Sequence, residues 1–181
     1  MTLTTEHEAT EHDGGATEPD LDPSSSPPVE IDEIRDIGLF GGLGDDVLES
    51  LLQELRVIEL EPGALVFREN ERGREMFVLL GGEIEVMKQS KRDVPSRVAM
   101  LGPGDWFGEM SILDVMPRSA TVRAIAHSRL LRISASDLES LYRRDTKSYA
   151  LLVLNLAREM SRRLRVADAL LAEMATQPLA R

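Results

Sequence analysis

From Arg56 onward the apolar residues fall in short runs separated by glycines and polar turns. The runs are RVIELE, ALVFRE, EMFVLL, EIEVMKQ and SRVAML, divided by Pro62-Gly63, a turn at Glu71-Arg72-Gly73, Gly81-Gly82 and a charged loop, and closed by Gly102-Pro103-Gly104. After an intervening segment of different character come SATVRAIA and SRLLRIS. Runs this short and closely spaced predict antiparallel strands rather than alternating βαβ units. On both sides the period becomes helical. In DDVLESLLQEL, capped by Gly44 or Asp45, the residues Val47, Leu48, Leu51, Leu52 and Leu55 share one face. From Ser136 no glycine occurs, and no proline before Pro178, so helix is expected almost to the end. The expected fold is mainly β with flanking helices: an antiparallel β-roll of the double-stranded β-helix or jelly-roll type, with short N-terminal helices and a long C-terminal helix.

Charge divides the chain unevenly. Residues 1–30 hold eight acids and no Lys or Arg, whereas the remainder sets 24 acids against 21 bases, so most of the net charge of −11 belongs to one end. Residues 1–29 have few large apolar groups and end near Ser-Ser-Ser-Pro-Pro, the composition of a disordered acidic tail. The expected organisation is that tail, a β-roll with its N-terminal helices over 30–145, and the long helix over 146–181, acting as lid or dimerisation element. With 181 residues and 4% aromatics, the core must come from Leu, Ile, Val and Met. The absence of cysteine excludes disulfides, thiolate zinc sites and thiol nucleophiles. His7 and His12 in HEATEH stand one residue too far apart for a metalloprotease HExxH, and His127 falls in a turn between two strands, so no metal site is expected. No signal-peptide pattern and no run of about 18 apolar residues occurs, which predicts a cytoplasmic protein without a membrane span.

One segment carries chemistry: Phe107-Gly108-Glu109-Met110-Ser111-Ile112-Leu113-Asp114-Val115-Met116-Pro117-Arg118-Ser119-Ala120-Thr121-Val122-Arg123-Ala124. Gly108 permits close backbone approach, and EMSIL allows one helical turn whose N–H groups can meet an anion. Arg118 offers a planar fork to two phosphate oxygens, and Glu109 an acceptor for a sugar hydroxyl. The residue types alone leave a second arrangement open, in which Glu109 and Arg118 simply pair with each other.

The segment resembles the phosphate-binding cassette of cyclic nucleotide-binding domains, as in bacterial catabolite-activator-type regulators, regulatory subunits of cAMP-dependent protein kinase, and cyclic-nucleotide-gated channels. The match comprises FGE, a hydrophobic turn, the proline before Arg118 and R-S-A-T-V-R-A, and the wider resemblance runs from about Asp36 to Met174. It implies that Glu109 binds the ribose 2′-hydroxyl, that Arg118 binds the exocyclic phosphate oxygens, and that the backbone of Gly108, Met110 and Ser111 holds the rest of the sugar-phosphate. Ser119 occupies the position linked to purine preference and points to cAMP, with cGMP open. Aligning the activators' long helix with Ser161-Arg162-Arg163-Leu164-Arg165-Val166 implies Leu164 and Ala167 as base-proximal, although Ala167 has no side-chain donor or acceptor.

Along the C-terminal helix Val153, Ala157, Met160, Leu164, Ala167, Leu171 and Met174 alternate spacings of four and three, the seam of a parallel homodimer. Leu152, Leu156 and Leu170 lie beside it, which leaves packing on the chain's own roll as the other arrangement. Arg158, Arg162, Arg163 and Arg165 are expected as a solvated face. The resulting expectation is a non-enzymatic cyclic-nucleotide sensor without cofactors, its ligand cAMP or cGMP, signalling by helix rearrangement to an effector protein not identified by the sequence. The alternative is a ligand-free scaffold that keeps the fold. Residues 175–181 are too few for a winged helix-turn-helix, so direct DNA binding is not expected.

Overall fold

A computed structural model describes residues 28–90 and 94–176. The acidic segment read as a tail therefore lies outside the described residues, apart from Pro28 and Val29. Helix α1 (Ile31–Ile34) and a 3₁₀ turn (Gly38–Phe40) precede α2 (Asp45–Glu54), which starts after Gly44. Eight strands follow: β1 (Arg56–Leu60), β2 (Leu65–Phe67), β3 (Glu75–Gly81), β4 (Ile84–Gln89), β5 (Pro95–Leu101), β6 (Trp106–Phe107), β7 (Thr121–Ala124) and β8 (Ser128–Ser134). The short helix α3 (Met110–Leu113) separates β6 from β7, and α4 (Ala135–Arg144) and α5 (Thr146–Thr176) close the chain. The β-roll with flanking helices is thus present, every strand pair being antiparallel. The sheets run β1-β8-β3-β6 and β2-β7-β4-β5.

The unbroken apolar run of β3 follows from its position. Phe77 and Leu79 face the space between the sheets, where they join Phe67, Ile84, Phe107 and Val122. Met76 and Val78 point the other way, into a second core made with Leu48, Leu51, Leu141, Leu152 and Leu156 of the helices. Alternation fails in this strand because both faces are buried, one by a sheet and one by helices.

Two features differ from the sequence expectation. The β6 strand, only Trp106 and Phe107, is too short to show a period, yet it pairs with β3 at Val78 and Phe77. The helical stretch from Ser136 is also broken, at Asp145 (φ −145°, ψ 87°). Asp145 then starts α5 through its carboxylate, which accepts from the N–H groups of Lys147 (3.0 Å) and Ser148 (3.1 Å) and from Ser148 Oγ (2.5 Å). The first half of α5 packs on α4 and on the 3₁₀ turn.

Candidate functional site

The segment from β6 to β7 crosses from one sheet to the other, and its residues converge on a cavity of about 410 Å³ against the β2-β7-β4-β5 sheet. Gly108 makes the first bend with φ of +83°, and a Cβ there would lie 3.0 Å from Arg118 Nη1 and 3.1 Å from the Glu75 carbonyl oxygen. No larger residue fits that approach without moving the guanidinium. Glu109 precedes α3, a single turn of four residues and so too short to carry an appreciable macrodipole. Positive charge in the site therefore rests on the side chains of Arg118 and Arg163.

Arg118 is 4% exposed. Its Nη1 donates to the Glu75 carbonyl (2.6 Å), to Ser111 Oγ (2.7 Å) and to the Gly108 carbonyl (3.1 Å), while Nη2 donates to the Glu75 carboxylate (3.1 Å). The guanidinium carbon sits 4.1 Å from the centroid of the Phe67 ring, a cation–π contact. Burial lowers the Arg118 pKa, and the negative charges of Glu75 and Glu71 work in the opposite direction. Arg118 Nε is buried with no hydrogen-bond partner. It lies against Gly73, where an added Cβ would come within 2.5 Å of it.

Glu109, 6% exposed, does not take Arg118 as its partner. Its Oε1 lies 3.4 Å from Arg163 Nη1 of α5. Arg163 also donates to the Trp106 carbonyl (2.9 Å) and to Glu159 Oε1 (3.1 Å), so one α5 side chain joins the helix to β6 and to the site carboxylate. The arrangement in which Glu109 and Arg118 merely neutralise each other is thus replaced by two separate ion pairs.

All six residues assigned from the motif, Gly108, Glu109, Met110, Ser111, Arg118 and Ser119, line this one cavity. Ser111 is buried, and its hydroxyl, which accepts from Arg118, also donates to the Gly108 carbonyl (3.1 Å). Ser119 is exposed, with its hydroxyl 3.6 Å from the Met110 sulfur, a weak acceptor. Leu164 and Ala167 are exposed and do not line this cavity, to which α5 presents Glu159 and Arg163. The reason is rotational, since Leu164 is turned about 100° from Arg163 around the helix. Arg163 likewise leaves the solvated face on which its neighbours lie.

Sequence reasoning missed Phe67, Glu75 and Gly73 as well. A Cβ at Gly73 would fall within 2.4–2.6 Å of the Arg118 guanidinium, so that glycine makes room for the cation. The only local signal was the polar turn containing it. A larger groove of about 540 Å³, between Pro28–Ile31, α2 and β1, is lined by none of the buried polar side chains among the described residues. Among the described residues there is also no group of three or more His, Asp or Glu placed to hold a metal, and no helix long and apolar enough to cross a membrane.

Residues 57–145 match the cyclic nucleotide-binding domain family. The chain is 32% identical over 130 residues to the cyclic AMP receptor protein of Thermus thermophilus, covering 72% of this chain and 58% of that one. It is 36% identical over 105 residues to a cyclic nucleotide-gated potassium channel of Mesorhizobium japonicum, covering 58% and 28%. The crystal structure of the Thermus thermophilus catabolite activator protein superposes with a TM-score of 0.69 at 30% identity, over 76% of this chain and 63% of that one. A cyclic nucleotide-binding domain from Methylobacillus flagellatus shares the fold, with a TM-score of 0.75 at 23% identity over 82% and 86%. The chain spans under two thirds of the length of either curated relative. Those relatives are regulators and channels.

Proposed function

With residues 57–145 a member of the cyclic nucleotide-binding domain family, we propose that this chain is a cytoplasmic, non-enzymatic sensor that binds a cyclic purine mononucleotide, cAMP, in the cavity beneath α5. The observation that carries the reading is the buried Arg118, held by four hydrogen bonds in the lining of a cavity that it shares with Gly108, Glu109, Met110, Ser111 and Ser119. An anionic phosphate in that cavity offsets the burial of the cation. Glu109 takes the ribose 2′-hydroxyl, and the backbone of Gly108, Met110 and Ser111 holds the remaining sugar-phosphate. Ser119 contributes to the preference for cAMP over cGMP.

Glu109 also gives the ligand a route to α5. A ribose hydroxyl donating to its carboxylate enters the space in which Arg163 now pairs, so ligand and helix compete for, or share, one acceptor. We attribute to that exchange the helix rearrangement that an effector protein reads. The four-three seam from Val153 to Met174 supports a homodimer through α5, because Leu164, Leu171 and Met174 are 61–70% exposed in the single chain.

Calorimetry with cAMP, cGMP and cyclic di-GMP tests the ligand. Arg118→Ala is expected to weaken cAMP binding at least tenfold, since a charge-assisted contact contributes about 1.5–3 kcal/mol. Equal binding by variant and wild type removes the phosphate assignment. Because Arg118 also fastens the local backbone, Glu109→Gln provides an independent check: it should weaken cAMP binding while leaving 2′-deoxy-cAMP nearly unaffected.

A further inference from the structure

Away from the roll, α5 has a face that the nucleotide site does not use. Leu154, Arg158, Ser161, Arg162 and Arg165 are all exposed there. At about 100° per residue they fall within an arc of roughly 100°. Arg158 donates to Asn155 Oδ1 (3.2 Å) and Arg162 pairs with Glu159 (3.1 Å), while Arg165 has no ion pair among the described residues. Glu159 itself lies toward the cavity, so the outward arc carries three cations and no carboxylate. It is adjacent to the Val153–Met174 seam but rotated off it, and it stays open whether α5 is single or paired.

We propose that this face docks the chain's own acidic N-terminal segment, through Glu6, Glu8, Glu11 and Asp13. Residues 1–30 hold eight acids and no Lys or Arg, while the remainder of the chain is nearly balanced, so these are complementary concentrations of charge within one molecule. The spacings correspond. Arg158 and Arg165 are seven residues apart on a helix, about 10 Å along its axis, and Glu8 and Glu11, three residues apart, would share one side about 9 Å apart in a polyproline II segment. Reach is sufficient too: the fourteen residues between Asp13 and Pro28 let the chain extend to roughly 50 Å, against a diameter of roughly 40 Å for a domain of this size.

Each exposed pair is individually weak, so the contact depends on tethering, which places the acids near the helix at an effective concentration in the millimolar range. The same physics makes it salt-labile, because exposed pairs are screened over about 8 Å at physiological ionic strength and about 3 Å at 1 M. Docking neutralises the cations of this face and does not require nucleotide.

The absence of cysteine makes Thr10→Cys a single thiol for a nitroxide label in the full chain. Paramagnetic broadening of backbone amides, read on ¹⁵N-labelled protein at low salt, should cut intensities at residues 157–166 by more than half. It should vanish in 0.5 M NaCl and in the combined variant Arg158→Gln, Arg162→Gln, Arg165→Gln, whose helicity is checked by circular dichroism. No broadening at low salt, broadening centred elsewhere, or broadening that survives the arginine substitutions overturns the proposal. So does broadening that persists when spin-labelled unenriched chain is mixed with ¹⁵N-enriched unlabelled chain, since that contact is between molecules.

Discussion

Between Thr146 and Leu156, α5 buries Leu152 and Leu156 to 1% exposure, whereas from Ala157 onward the same helix leaves Leu164, Val166, Leu170, Leu171 and Met174 55–70% exposed. The inner half is richer in leucine, four in eleven residues against three in twenty, yet both halves carry apolar residues at helical spacing. What decides their burial is the partner. The inner half lies over α4 and the 3₁₀ turn, and the Asn155 side-chain amide, 7% exposed, donates to the carbonyls of Leu39 (3.1 Å) and Gly41 (2.8 Å). Those two bonds set the axial position of the helix, because an amide forced out of register leaves buried polar groups unpaired. The outer half meets the roll through Arg163 and Glu159. An apolar stripe thus becomes core in one half and an open surface in the other, and only the open half is free to move when Glu109 changes partner.

The largest expected effect separates the halves directly. Leu156→Ala should cost about 2–5 kcal/mol in urea unfolding, a buried-leucine cavity, whereas Leu170→Ala should stay within about 0.5 kcal/mol. Equal losses would show that both halves are packed alike. Asn155→Ala comes next, at about 1–3 kcal/mol, since it strips the buried Leu39 carbonyl, and the Gly41 carbonyl beside it, of their donor. Hydrogen exchange should then show protection falling in the inner half alone.

The dimer seam provides a third test. Leu164→Glu with Leu171→Glu should convert a dimer to a monomer in light scattering while the monomer's own stability changes by less than about 0.5 kcal/mol. A wild-type protein that is monomeric at tens of micromolar, with and without cAMP, would remove the seam and leave the outer half as an intramolecular lid.

The smallest expected effect concerns the start of α5. The hydrogen bond from the Ser148 hydroxyl, followed by that from the Ser148 N–H, holds the Asp145 carboxyl below its ordinary pKa. A carboxyl depressed in the folded state stabilises it at pH above the unfolded value, about 3.9, and that contribution disappears as pH falls through the lower folded value. Asp145→Asn should therefore flatten the decline in melting temperature between pH 5 and pH 2. An unchanged profile would mean that the cap does not couple to folding.

Much of the site was legible because its residues are consecutive. Gly108 to Ser119 form one local motif, and the chain need only bend at Gly108 and turn once through α3 to bring them together. The residues that make Arg118 usable come from elsewhere: Glu75, 43 positions away, accepts its hydrogen bonds, and Phe67 supplies the ring beneath it. Nothing in the spacing of Gly73 or Glu75 indicates that they meet Arg118. The β6 strand escaped detection for a related reason, since two residues carry no period and its pairing with β3 is a long-range fact.

By itself, the sequence determined what depends on neighbours a few residues apart: alternating strands, the helix following Gly44, the one-turn cassette, and the separation of an acidic end from a balanced remainder. Tertiary structure alone decided which face of each element is covered. Helical periodicity specifies which residues share a side but not the rotation of that side toward the roll, so Arg163 rather than Leu164 came to meet Glu109. That rotation is fixed by the burial of Leu152 and Leu156 against other elements and by the Asn155 hydrogen bonds to carbonyls more than a hundred residues earlier in the chain.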